Sequence, residues 1–206
     1  MSLKCVLWDF GDTLADEGWM QRSFPGVPDW PHIWSEFISS ELGDSWSLGR
    51  LDTSAVVTAV ATRLAVSPES VFEHMQRCCS MIRFFETPLD VAKRSSLPQA
   101  IVTINPDGFS KLIVPQHKLD RIFRPIVTSW EERTLDKGVL GLVALERLGL
   151  GIHPSQALLI DNKTENIEAW ASRGGRGYHF RGEERFRADL ESELRELAMS
   201  AKIVGA

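Results

Sequence analysis

The chain has 206 residues, 43% hydrophobic and 25% charged, with a formal net charge of −5. That size and balance fit one globular unit, or a core domain carrying a small insert. The modest negative charge argues against nucleic-acid and membrane-surface partners, and no apolar run approaches the roughly 20 residues that cross a bilayer.

The first apolar run, Leu3–Trp8, ends at Asp9 and reads as a buried parallel strand. After it comes a stretch from about residue 16 to residue 97, far longer than an ordinary strand-to-helix connection. Helical patterns over Pro31–Leu42, Thr53–Ala65 and Pro68–Ile82 fill it, with start signals at Asp29, Asp52 and Ser67. We read residues 16–92 as an inserted helical cap, with 16–25 and 84–90 as its two linkers. Its aromatics Trp19, Phe24, Trp30, Trp34, Phe37 and Trp46 form its own core, with some left over to line a lid.

Short apolar runs resume at Gln99–Ile104, Pro125–Thr128, Gln156–Ile160 and Gly177–Phe180. Helical patterns at Asp136–Leu148 and Thr164–Ser172 separate them, and a charged amphipathic helix follows at Glu183–Ser200. Alternating strands and helices imply right-handed crossovers and an α/β fold with a doubly wound parallel sheet, formed by residues 1–15 and 93–206. Three cysteines, two of them adjacent at Cys78 and Cys79, make no disulfide framework. With no leader-like layout at the N-terminus, this sets the expectation of a cytoplasmic protein with reduced thiols, monomeric or homodimeric.

In a doubly wound sheet, ligands bind outside the carboxyl ends of the strands. The polar residues at those ends are Asp9, Gly11, Asp12 and Thr13 after the first strand, and Thr103 and Asn105 after the second. Lys137 opens the helix after the third; Asp161, Asn162 and Glu165 follow the fourth. An aspartate can attack an electrophilic centre and form a covalent intermediate. If that centre is phosphorus, a lysine, a hydroxyl and Mg²⁺ balance the charge on its oxygens.

These motifs, in this order, resemble the haloacid dehalogenase superfamily of hydrolases along essentially the whole chain. Asp9-x-x-x-Thr13-Leu14 looks like the family's first motif, and Ile101-Val102-Thr103 like the second. Ser129 through Lys137 looks like the third, and Leu159-Ile160-Asp161-x-x-x-Glu165 like the fourth. The resemblance implies a Mg²⁺-dependent phosphatase acting on a small phosphorylated metabolite. Asp9 would be the nucleophile, with Thr103 and Lys137 catalytic and also binding the transferring group together with Thr13 and Asn105. Asp9, the Gly11 carbonyl, Asp161 and Glu165 would hold the metal. The family's phosphatases usually read Asp-x-Asp-Gly-Thr in the first motif, the second aspartate being the general acid/base. Here Gly11 and Asp12 stand in the reverse order, so Asp12 is the expected substitute, with Asp16 and Glu17 as further candidates. The alternatives are a family member that binds without turnover and a metal-independent haloacid dehalogenase; the dehalogenases carry serine where Asp161 stands.

Overall fold

The computed structural model describes residues 2–202; residues 1 and 203–206, at the ends of the expected core range, lie outside the described residues, as does the side chain of Trp19. The strands are β1 Cys5–Trp8, β2 Gln99–Thr103, β3 Ile126–Thr128, β4 Ala157–Asp161 and β5 Arg176–His179. They form one parallel sheet in the order β3-β2-β1-β4-β5. β1, β2 and β4 are buried along their whole length. That is why each reads as an unbroken apolar run rather than an alternation. The chain winds from β1 to β3 on one side and then returns to β4 on the other, so the switch point lies between β1 and β4.

Helices α1 Trp30–Ile38, α2 Glu41–Ser47, α3 Thr53–Leu64 and α4 Pro68–Ser80 form the insert. The reading of one helix over Pro31–Leu42 gives way to two, because Ser40 caps a fresh start by accepting Leu42 N–H. Asp52 and Ser67 cap α3 and α4 as the sequence suggested. The insert has its own core around Trp30, Val57, Val60, Val71 and Met75.

α5 Glu86–Arg94 corrects the expected domain boundary. Its Val91 and Ala92 pack into the sheet's core, as do Cys79 and Ile82. The chain therefore rejoins the core domain near residue 79–82, and what read as a linker is a core helix. The tail differs as well: the expected single helix is α10 Glu183–Asp189 and α11 Arg195–Ser200, with Phe186, Leu190, Leu194 and Leu197 buried. Between β2 and β3 a π-helical turn, Phe109–Ile113, runs into α6 Val114–His117. The remaining helices are α7 Ser129–Glu132, α8 Lys137–Leu148 and α9 Thr164–Ala171.

α8 and α9 cover one face of the sheet through Leu140, Ala144 and Trp170. α5, the 109–123 segment, α10 and α11 cover the other. α8 approaches α9 so closely that glycine is required: a Cβ on Gly138 would lie 2.5 Å from the Ala169 carbonyl oxygen, and one on Gly141 2.7 Å from the Trp170 ring. The three cysteines are buried and free. Among the described residues no single helix is long and apolar enough to cross a membrane.

Candidate active site

The site forms where β1 and β4 end side by side. Asp9 N–H donates to the Ile160 carbonyl at 2.9 Å, carrying the ladder one residue past β1 and setting Asp9 beside Asp161. Lys137 reaches both from the start of α8. Its Nζ lies 2.6 Å from Asp9 Oδ1 and 3.0 Å from Asp161 Oδ2, and donates to the Val102 carbonyl at 2.8 Å. Asp9, Lys137 and Asp161 are all buried. Asp136 caps α8 by accepting Gly138 N–H and Val139 N–H, and this turn aims Lys137 into the sheet.

Two carboxylates and one ammonium leave a buried surplus of one negative charge. Burial pushes the Asp9 carboxyl above its ordinary range; Lys137 pulls it down and Asp161 pushes it up again. Burial works against the Lys137 ammonium, but the two carboxylates prevail and hold it protonated. Asp161 is further held by Lys163 N–H at 2.9 Å and by Asn166 Nδ2, which lies 3.0 and 3.1 Å from its two oxygens.

Thr103 is buried, and its hydroxyl accepts a hydrogen bond from Asn105 Nδ2 at 2.8 Å. Thr13 is buried with an unpartnered Oγ1, and Asn162 has an unpartnered buried Oδ1. Both lie on loops leaving the two carboxylate-bearing strands. No backbone hydrogen bond among the described residues uses the Gly11 carbonyl.

Two expected site residues are engaged differently. Glu165 is exposed on the first turn of α9, and the side chain that reaches Asp161 is Asn166, one residue on. The sequence reading stopped at the acid, although the amide one step further round the helix faces inward. Asp12 takes a left-handed backbone conformation at φ 49°, and its Oδ1 accepts Glu17 N–H at 2.9 Å. Its carboxylate thus organises the turn into the 3-10 segment Glu17–Gln21. Asp16 accepts Gly18 N–H and pairs with Arg83 at 3.2 Å.

Glu17 stands apart from these. Its carboxylate forms no hydrogen bond or ion pair among the described residues. It opens onto a cavity of about 350 Å³ between sheet and insert, shared with Asp12, Asn105 and Lys163 and walled by Trp34, Trp46 and Phe109. Crowding in the cleft pushes its carboxyl above the ordinary range; Lys163 pulls it down, while Asp9 and Asp12 push it up.

The insert is fastened to the carboxyl edge of the sheet. Buried Asp107, after β2, accepts Trp46 Nε1 at 2.8 Å, Thr53 N–H at 3.1 Å and Thr53 Oγ1 at 2.7 Å, and pairs with Lys111 at 2.6 Å. Ser129 Oγ donates to the Ser47 carbonyl, and Trp130 Nε1 to that of Leu51. Asp107 carries no local mark of this role, because its partners in the insert, Trp46 and Thr53, lie more than fifty residues away.

Neither a family model nor a curated protein sequence matches the chain. Solved structures do. A haloacid dehalogenase family enzyme from Bacteroides thetaiotaomicron, in complex with magnesium and inorganic phosphate, superposes with a TM-score of 0.67 at 16% identity, covering 86% of this chain and 94% of that one. A predicted HAD-like family hydrolase from Porphyromonas gingivalis gives 0.66 at 16% identity, covering 95% and 99%. The L-2-haloacid dehalogenase of Xanthobacter autotrophicus, with chloropropionic acid covalently bound, gives 0.64 at 16% identity, covering 96% and 87%. The chain has the haloacid dehalogenase fold.

Proposed function

We propose that the chain is a Mg²⁺-dependent phosphohydrolase that acts on a small phosphorylated metabolite through an aspartyl-phosphate on Asp9. The carrying observation is Lys137 held between Asp9 and Asp161 at the switch point of the sheet. The donor set suits the metal. Asp9 and Asp161 are hard oxygen ligands, Mg²⁺ keeps much of its water, and the buried surplus negative charge calls for a cation. The unpartnered Thr13 hydroxyl and Asn162 carbonyl oxygen line the loops where a phosphoryl group and hydrated ion would find partners. Bound there, Mg²⁺ would neutralise charge on the phosphoryl oxygens.

The chain's own residues account for the rest. Lys137 fixes the Asp9 carboxylate and carries positive charge toward the phosphoryl group. Thr103, oriented by Asn105, offers a hydroxyl beside it. The insert closes the cleft and limits water. The metal-free dehalogenases of the family carry serine where this chain has Asp161, so the acidic ligand favours phosphoryl chemistry. The test is a phosphate-ester panel assayed with Mg²⁺ on wild type and on Asp9→Asn. Turnover in wild type that Asp9→Asn abolishes supports the reading. Absence of turnover, or EDTA-insensitive halide release from a 2-haloacid, overturns it.

A further inference from the structure

Gly11 occupies the position whose aspartate would move protons in a phosphatase of this fold, and glycine has no group to do so. A Cβ built on Gly11 would lie 2.9 Å from Glu17 Oε1, 3.0 Å from its Cδ and 3.4 Å from its Cγ. An aspartate at residue 11 would carry its carboxyl carbon one bond beyond that Cβ, so the Glu17 carboxyl already fills the space that side chain would take. The residue that vacated the position and the residue that fills it are six apart in sequence. The intervening loop folds back through the left-handed turn at Asp12, which ties down Glu17 N–H, and through Asp12 N–H donating to the Ala15 carbonyl at 2.7 Å.

We propose that Glu17 is the general acid and base of the site, delivering from the insert side the carboxyl that the first motif lacks. The assignment rests on the phosphohydrolase reading above. Of the nearby acids, Asp12 and Asp16 are committed to backbone N–H groups, and Asp16 also to Arg83. Glu17 alone is uncommitted, its carboxyl lies against the Gly11 Cβ position, and it lines the cavity between sheet and insert beside Asp12, Asn105 and Lys163. In the first step an Asp9 oxygen attacks phosphorus. The bond from phosphorus to the leaving oxygen breaks, its electron pair stays on that oxygen, and the proton of the Glu17 carboxyl passes to it. In the second step the Glu17 carboxylate takes a proton from water as the water oxygen attacks phosphorus. The Asp9–phosphorus bond breaks, restoring the Asp9 carboxylate and releasing phosphate.

The experiment compares wild type, Glu17→Gln, Asp9→Asn and the double variant Gly11→Asp/Glu17→Ala, with Mg²⁺, on glycerol phosphate and on 2,4-dinitrophenyl phosphate. Glycerol must leave protonated, whereas dinitrophenolate leaves without help. Glu17→Gln should lower kcat/KM on glycerol phosphate by roughly 10²–10⁴-fold. On the dinitrophenyl ester it should leave the first step nearly intact and show a burst, as the aspartyl-phosphate then waits for a base. The double variant moves the carboxyl back onto residue 11, whose φ lies outside the left-handed region, and should recover alkyl-ester turnover. Equal losses on both esters, or none on either while Asp9→Asn abolishes activity, overturn the assignment and leave the hydrolase reading standing. A wild-type protein that turns over neither ester overturns both.

Discussion

Asp107→Ala would unfasten the insert. The carboxylate is 1% exposed, and its removal strands Trp46 Nε1–H, Thr53 N–H and the Thr53 hydroxyl, all of which end on it. A buried donor left without an acceptor costs roughly 1–3 kcal/mol. With the hydroxyl free to turn and water free to enter the gap, the sum comes to about 3–5 kcal/mol. Lys111 is more than half exposed and loses little. For a slope near 2 kcal/mol/M, a loss of about 4 kcal/mol moves the urea midpoint down by about 2 M. Asp107→Asn keeps one acceptor oxygen for Trp46 and the Thr53 hydroxyl but turns an amide toward Thr53 N–H, so it should lose roughly half as much. Burial pushes the Asp107 carboxyl up, but hydrogen bonds from Lys111, Thr53 and Trp46 outweigh it and hold the carboxyl below its ordinary value. Its contribution is therefore present above about pH 3.9, the value in the unfolded chain. It is lost as pH falls through the lower folded value. The gap between variant and wild type should stay constant from pH 5 to 8 and shrink below about pH 4. A loss under about 1 kcal/mol at pH 7, measured by urea unfolding, refutes the latch.

Lys137→Met leaves Asp9 and Asp161 buried without a counter-charge and should cost about 3–5 kcal/mol at pH 7.5. The penalty should shrink toward pH 5 as a carboxylate takes up a proton, which thermal melts at the two pH values would show. His74 stacks on Phe24 at 4.4 Å inside the insert, and burial, with Arg77 adding to it, pushes its imidazole below the ordinary value. The unfolded chain therefore binds that proton first, and stability falls as pH drops below about 6.5. His74→Phe should flatten unfolding stability between pH 7 and 5. Gly138→Ala presses a methyl group to 2.5 Å from a backbone oxygen and should cost about 1–3 kcal/mol by overpacking. A neutral result in a thermal melt would show that α8 and α9 can separate freely.

The sheet was legible because β1 to β4 are short apolar runs bounded by turn residues, and α3 and α4 because Asp52 and Ser67 are helix caps whose signal is local. The carboxylates at β1 and β4 were legible for the same reason: they directly follow such runs. What escaped was set by distant contacts. Whether α5 belongs to sheet or insert depends on where Val91 and Ala92 pack, and residues 86–94 carry no mark of that. Glu165 and Asn166 differ by one step around α9, a rotation that only packing against β4 decides. The close approach of Gly138 to the Ala169 carbonyl depends on how α8 packs on α9, which no local pattern carries. The 3-10 segment at Glu17 escaped because it is one short turn: Asp16 caps it at Gly18 N–H, and Glu17 N–H is held by Asp12 across a left-handed turn that no sequence pattern marks.

The placing of Glu17 ties chemistry to the seating of the insert. Glu17–Gln21 is fixed to the insert, since Met20 is buried in the insert's core and its carbonyl accepts Trp30 Nε1–H at 2.7 Å. Asp9 belongs to the sheet. In a first motif with its own acid, nucleophile and proton donor share one rigid loop; here the Asp107 latch is one of the contacts that fix the distance between them. A misplacement of about 1 Å can cost on the order of 10²-fold in rate. Folded Asp107→Asn should therefore lose glycerol phosphate turnover more than 2,4-dinitrophenyl phosphate turnover, the same pattern as Glu17→Gln but shallower. The assay is kcat/KM on both esters at a temperature where circular dichroism shows the variant fully folded. Equal losses on the two esters would mean that the latch shapes the cavity as a whole and does not set the position of the proton donor.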